Sequence, residues 1–186
     1  MAAMASPRSA RRLSLLGVCG SLRAASSNSR LLAAACSLMP AGAEMHVTSR
    51  IAALPLFNPD LDYESIDSVR EWAAEMRTCD GVVISTPEYA RGYPGALKNA
   101  LDWLVNTDAF VNKPFMFLGA SDRSTVGRDS LAVVLQTMSG IHIERASVTL
   151  PLLGRNLSVA EILADGQMAE RIREALRTFA GNMTAA

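Results

Sequence analysis

Leu13-Ser14-Leu15-Leu16-Gly17-Val18-Cys19-Gly20-Ser21-Leu22-Arg23-Ala24-Ala25-Ser26-Ser27-Asn28 decides how this chain folds. Leu13 to Val18 is apolar and uncharged, the pattern of a short strand buried on both faces. A small, hydroxyl-rich loop follows. Ser26, Ser27 and Asn28 then offer N-cap chemistry to Arg30-Leu31-Leu32-Ala33-Ala34-Ala35, a strong helix former that should end near Pro40-Ala41-Gly42. A buried strand feeding a helix through a polar loop is one half of a βαβ unit.

The same alternation continues downstream. Met45 to Ile51 reads as a second strand, and Leu54-Pro55-Leu56-Phe57-Asn58-Pro59-Asp60 as a loop because it holds two prolines. Ser65 to Thr78 has helical spacing. Gly81-Val82-Val83-Ile84-Ser85 is the clearest strand, short, β-branched and uncharged. Ala96 to Val105 predicts a helix, Phe115 to Gly119 a fourth strand, Ser130 to Met138 a helix and Ile141 to Leu150 a fifth strand. Met168 to Phe179 closes with Ile172, Leu176 and Phe179 on one stripe. Five strands separated by helices predict an α/β, doubly wound, five-stranded parallel sheet with helices on both faces. Ligands of such sheets bind outside the carboxyl ends of the strands, where the strand order reverses. Cys19 to Asn28, Thr86 to Pro94 and Ala120 to Gly127 should therefore line the site.

The chain has 186 residues, 49% of them hydrophobic, which predicts one domain over 11–186 after a disordered leader over 1–10. Arg8, Arg11 and Arg12 before an apolar run superficially resemble a secretory signal. The run is brief and no small-residue cleavage site closes it, so it reads better as the buried first strand. No stretch approaches the length of a membrane span. Lys plus Arg equals Asp plus Glu at 18 each, which leaves no electrostatic footprint for nucleic acid. Cys19, Cys36 and Cys79 form no C-x-x-C pair and predict reduced thiols in a cytoplasmic protein. Two histidines, His46 and His142, argue against a dedicated metal site.

The first loop sits at a helix N-terminus, whose free N–H groups and partial positive charge attract phosphate. Ser21, Ser26, Ser27 and Asn28 add short donors, and Arg23 adds a charged fork. Neither G-x-G-x-x-G nor a Gly-Lys-[ST] loop is present, so neither a dinucleotide nor a nucleoside triphosphate is signalled there. From the residues alone, a monophosphate site and an ordinary capped βα turn are both open readings.

Joined to the rest of the chain, the loop resembles the NAD(P)H-dependent FMN reductase family, flavodoxin-like enzymes that include quinone, azo-dye and chromate reductases. The family pattern G-S-L-R-x-x-S-x-N-x-x-L runs from Gly20 to Leu31. The second signature appears as Thr86-Pro87-Glu88-Tyr89 and then Pro94-Gly95-Ala96-Leu97-Lys98-Asn99-Ala100-Leu101-Asp102-Trp103, and the 54–60 loop is also similar. The resemblance implies that Ser21, Arg23, Ser26 and Asn28 hold the phosphate of FMN, with Ser27 available through its backbone. Pro87, Glu88, Tyr89 and Ala90 would run along the isoalloxazine edge, and Ser121 would stand in the third wall. NADPH or NADH would supply hydride to the flavin, and a small acceptor would then take its place. The cofactor carries the hard step, so no catalytic side chain and no metal is required. The family also implies a homodimer or homotetramer.

Several positions depart from the pattern. Ala90 and Gly92 stand where Asn and Ser are common. The third loop, Ser121-Asp122-Arg123-Ser124-Thr125-Val126-Gly127-Arg128, lacks the usual glycine pair. Glu88 reads better as a loop cap or an ion-pair partner than as an acid. Tyr89 and Tyr93 are candidates for an acceptor pocket or a subunit contact, Arg91 and Arg123 for an NADPH phosphate, and Trp103 and Leu104 for apolar surface beyond one chain's needs. An electron carrier of the flavodoxin type would show a strongly acidic face, which the balanced charge disfavours. A non-catalytic module is the other rival, disfavoured by the intact first loop.

Overall fold

The computed structural model describes residues 11–123 and 125–184; the predicted leader over 1–10 lies outside them. Five parallel strands stand in the order β2-β1-β3-β4-β5: β1 (Leu13–Cys19), β2 (Ala43–Val47), β3 (Gly81–Ser85), β4 (Pro114–Gly119) and β5 (Ile141–His142). A sixth, β6 (Val148–Thr149), also pairs with β4 in parallel. The helices are α1 (Ser27–Ser37), α2 (Asp67–Thr78), α3 (Gly95–Asp102), α4 (Val126–Thr137), α5 (Val159–Ala164) and α6 (Gly166–Thr184). One core lies between the sheet and α1, α5 and α6, with Leu15, Leu32, Met116, Leu150 and Phe179 buried in it. The other lies under α2, α3 and α4 and holds Leu16, Trp72, Val82, Leu101 and Phe115. This is the expected doubly wound arrangement.

The predicted fifth strand, Ile141 to Leu150, is corrected to two short pieces separated by a 3₁₀ turn at Glu144–Ala146. The detour costs little hydrogen bonding. Ile143 donates its backbone N–H to the Phe115 carbonyl at 2.9 Å, and the Ser147 hydroxyl accepts the Phe117 N–H at 3.0 Å in place of a strand carbonyl. The second strand ends at Val47 instead of Ile51 because Thr48 turns the chain, its Oγ1 accepting the Arg50 N–H at 3.1 Å. Helix α4 begins at Val126, ahead of the expected Ser130, which carries its N-terminus to the carboxyl ends of the strands.

Candidate functional site

The chain runs from β1 to β2 on one side, then to β3 on the other side of β1, so the strand order reverses there. Cys19 lies opposite Ser85 in the register, and the loops after β1 and β3 leave side by side. The Gly20 N–H extends that ladder to the Ser85 carbonyl at 2.9 Å. A Cβ on Gly20 would stand 2.2 Å from Thr86 Oγ1, so this close approach requires glycine. Beside these loops lies an open cleft of about 510 Å³.

Its first wall is the start of α1. Ser26 is the N-cap, in an extended conformation (φ −82°, ψ 131°), and its hydroxyl accepts the Asn28 N–H at 3.2 Å. Ser26 and Asn28 are buried, and the fully buried Ser85 donates its hydroxyl to Asn28 Oδ1 at 3.0 Å. With Oδ1 so occupied, the free polarity of the Asn28 side chain is its NH₂ donor. The first turn of α1 holds no acidic residue to cancel the positive helix end. Arg23, its N–H fixed by Ser21 Oγ at 3.3 Å, makes no ion pair among the described residues. Behind the loop, burial pushes the Cys19 thiol up from its ordinary value, so the thiol adds no negative charge. Hydroxyls, an amide, a guanidinium and a helix N-terminus converge, and this donor set suits an anion.

The second wall is Thr86 to Tyr89. Tyr89 and Gly92 exchange backbone hydrogen bonds of 2.8 and 2.9 Å around a two-residue tip, where Ala90 (φ 50°) and Arg91 (φ 64°) are both left-handed. The third wall holds Ser121, whose Oγ accepts the Arg123 N–H at 3.1 Å. Helix α4 starts just beyond, and its N-cap Thr125 makes no side-chain cap bond. Glu88 supplies the cap from the second wall, its Oε2 accepting the Gly127 N–H at 2.8 Å. Of the roles weighed for Glu88, the geometry shows the capping one.

All but Ala90 of the predicted cofactor-binding residues line this cleft: Ser21, Arg23, Ser26, Ser27, Asn28, Pro87, Glu88, Tyr89 and Ser121. Ala90 stands at the turn tip, off the lining. A fourth wall, Leu153, Gly154 and Asn156, was not foreseen. Arg30 on α1 holds it in place through the carbonyls of Asn156 and Leu157, both at 3.1 Å. Its sequence signal was turn chemistry: Gly154 (φ 77°) and Asn156 (φ 51°) are both left-handed. Arg123 lines the cleft and Arg91 does not.

Other candidates turn inward. Trp103 and Leu104 are buried within the chain, a correction to their reading as surplus apolar surface, and Tyr93 packs against the α2–α4 core. Asn99 and Trp103 of the second signature clamp the 54–60 loop. Phe57 donates to Asn99 Oδ1 at 2.7 Å, while Asn99 Nδ2 and Trp103 Nε1 reach the Pro55 carbonyl at 2.9 and 2.8 Å. His142 stacks on Phe115 at 4.8 Å. Among the described residues no group of three or more His, Cys, Asp or Glu is placed to hold a metal, and no helix is long and apolar enough to cross a membrane.

Known proteins resemble this chain in sequence and in fold. A 2-hydroxy-1,4-benzoquinone reductase of a Burkholderia species is 31% identical over 173 residues, 90% of this chain and 92% of that protein. The quinone reductase of Escherichia coli is 39% identical over 95 residues, half of each chain. Among solved structures, FerB, a flavoenzyme NAD(P)H:(acceptor) oxidoreductase from Paracoccus denitrificans, superposes with a TM-score of 0.83 at 23% identity, covering 93% of this chain and 98% of that one. The profile of NADPH-dependent FMN reductases matches residues 13–152, from the first residue of β1 to the edge of the fourth wall. The chain belongs to that family and is an oxidoreductase that uses FMN with NAD(P)H as its electron donor.

Proposed function

We propose that the chain holds FMN in the 510 Å³ cleft and reduces a small acceptor, a quinone, azo compound, free flavin or metal oxyanion, at the expense of NAD(P)H. The observation that carries this reading is the anion seat of buried Ser26 and Asn28 at the positive end of α1, whose first turn holds no acidic residue, beside Arg23, which makes no ion pair among the described residues. Ser21, Arg23, Ser26, Ser27 and Asn28 take the phosphate; Pro87, Glu88, Tyr89 and Ala90 take the ring edge, Ala90 through its backbone; Ser121 closes the third side. Bound FMN supplies the two-electron chemistry, so that NAD(P)H, a proton and the acceptor become NAD(P)⁺ and the two-electron-reduced acceptor. Donor and acceptor share one face in turn, a ping-pong cycle. The protein's own part is placement: Glu88 fixes the ring-edge loop against α4, and Arg30 fixes the fourth wall.

We further assign residues 11–186 to one domain and place the protein in the cytoplasm, in keeping with its three free cysteines. Val105, Val133 and Leu56 are 58%, 63% and 85% exposed, apolar area suited to a second copy in a homodimer or homotetramer. A monomer mass by light scattering at micromolar protein defeats that assembly.

Reconstitution with FMN followed by anaerobic NADPH tests the function. Retained flavin that bleaches on NADPH and recovers on adding a quinone is the expected result. Protein that retains no flavin refutes the cofactor site, and bound flavin that neither NADPH nor NADH bleaches makes the protein a carrier instead. Intersecting initial-rate lines refute the ping-pong order.

A further inference from the structure

A second cleft of about 310 Å³ opens beside the first, between the third loop and the chain after β6. Asp122, Arg123, Pro151, Leu153 and Gly154 line it. Arg123, Leu153 and Gly154 also line the larger cleft, so the two are continuous. Arg123 stands at their junction. Its backbone is anchored by Ser121, yet among the described residues its guanidinium has neither an ion pair nor a hydrogen bond. Most described arginines are tied down, such as Arg30 to two carbonyls, Arg77 to Asp108 and Arg128 to Thr149. Across from it, Leu153 is 58% exposed, and nothing lies within 4 Å of where a Cβ on Gly154 would be. The groove thus pairs an unspent cation with an unobstructed apolar shelf.

We propose that this second cleft seats the adenosine half of the nicotinamide donor, with Arg123 on a donor phosphate and Pro151 and Leu153 under the adenine. The inference rests on the proposed reductase function. The cofactor's single phosphate is matched by the α1 N-terminus and Arg23, which leaves Arg123 without a task in the larger cleft. A donor whose nicotinamide enters that cleft must lay its remaining length on continuous surface, and this groove shares Arg123, Leu153 and Gly154 with it and has about 310 Å³ of room. Asp122 on the same loop sorts the ligand: a carboxylate repels phosphate and accepts from ribose hydroxyls, while the guanidinium takes phosphate oxygens. Arg91 also makes no ion pair among the described residues but lines neither cleft, so it serves as a charge control.

The test compares NADPH, NADH and reduced nicotinamide mononucleotide, which lacks the adenosine half, on the FMN-loaded wild type and on Arg123→Ala and Arg91→Ala. Loss of a hydrogen bond to a charged group predicts a KM for NADPH raised about tenfold or more in Arg123→Ala. The KM for reduced nicotinamide mononucleotide stays unchanged, and Arg91→Ala behaves as wild type. If NADH is unaffected, Arg123 reads the 2′-phosphate; if NADH is affected equally, it reads the pyrophosphate. Either arm supports the seat. A binding titration with adenosine 2′,5′-bisphosphate and ADP gives a readout free of turnover: at least one binds the wild-type holoprotein, and that binding is lost in Arg123→Ala. The proposal is overturned if reduced nicotinamide mononucleotide suffers as much as NADPH, if no donor changes, or if neither fragment binds. Wild-type flavin that NADPH fails to bleach sinks the function and the seat together. Bleaching with Arg123→Ala indistinguishable from wild type sinks the seat alone.

Discussion

The Glu88 carboxylate accepts the backbone N–H of Gly127 at 2.8 Å across 39 residues of sequence, so the loop after β3 and helix α4 are fastened to each other. Gly127 is the second residue of α4, where an N-cap side chain ordinarily bonds, and the helix's own cap residue leaves that group free. The fit is close: a Cβ on Gly127 would stand 3.0 Å from the Gly92 carbonyl carbon and 3.2 Å from Glu88 Cγ. Glu88→Ala is expected to cost about 1–2 kcal/mol by the loss of the cap. Glu88→Gln keeps an acceptor and forfeits only the charge–dipole part, about 0.3–1 kcal/mol. Urea unfolding checks the ranking, and equal stability of all three proteins would show that the bond holds nothing. FMN affinity should fall in the same order, since the loop proposed to border the ring is the one released.

The tip of that loop is strained in a way the sequence can relieve. Ala90 (φ 50°) and Arg91 (φ 64°) occupy left-handed backbone, which costs an ordinary L-residue about 1–2 kcal/mol relative to glycine-compatible geometry. Two-residue turns of this hand favour Asn-Gly. Ala90→Asn with Arg91→Gly should therefore stabilise the protein by about 1 kcal/mol, after the larger unfolded-state entropy of glycine is set against the relief. For a chain of this size that is about 2–4 °C in Tm. A lowered Tm in calorimetry would mean that the Arg91 side chain contributes more than its backbone costs.

His142 gives the fold an acid limit. Its ring lies flat on Phe115 at 4.8 Å and edge-on to Phe117 at 5.2 Å, and Nε2 is 3.2 Å from Ser147 Oγ. The Ser147 oxygen already accepts the Phe117 N–H, leaving its own proton to donate to unprotonated Nε2. Burial lowers the His142 pKa from its ordinary 6.5, and nearby Arg128 adds to that while Glu144 opposes it. The unfolded chain then takes up a proton before the folded one, so stability is full above about pH 6.5 and falls as the pH drops from there toward the lower folded-state value. Unfolding free energies at pH 7.5, 6.5 and 5.5 should fall more steeply for the wild type than for His142→Phe. Parallel curves would assign the acid limit to the carboxylates.

What could be read before the structure follows burial. β1 and β3 are covered on both faces, so Leu15, Leu16, Val82 and Val83 had to be apolar and the runs stand out. The fifth strand pairs with β4 alone and sits at the sheet edge, where Glu144 and Arg145 are tolerated, and there a 3₁₀ turn replaces the ladder. α5 has only six residues; its one local signal is the capping box between Ser158 and Glu161. The first two walls of the cleft carry compact motifs because neighbouring residues act together there. The fourth wall and the Glu88 cap depend on contacts between distant segments, Arg30 with Asn156 and Glu88 with Gly127, and no local pattern encodes such a pairing.

Asn99 shows the same limit inside a motif that was legible. It belongs to the signature after the β3 loop, yet it does not line the cleft and its amide serves the 54–60 segment as a sheet neighbour would. Oδ1 accepts the Phe57 N–H at 2.7 Å, and Nδ2 donates to the Pro55 carbonyl at 2.9 Å. Trp103 adds a third bond to Pro55 and an edge-to-face contact with Phe57 at 5.1 Å between ring centroids. These contacts hold an irregular segment with Leu56, 85% exposed, at its tip. Asn99→Ala removes two hydrogen bonds at about 1 kcal/mol each and should cost about 2 kcal/mol. Asn99→Asp keeps the acceptor and loses the donor, leaving about half of that. Limited proteolysis should cut between residues 54 and 62 faster in Asn99→Ala than in the wild type, with flavin affinity unchanged because the α1 seat is untouched. A loss of flavin binding with the loop still protected would instead place Asn99 in the cofactor site.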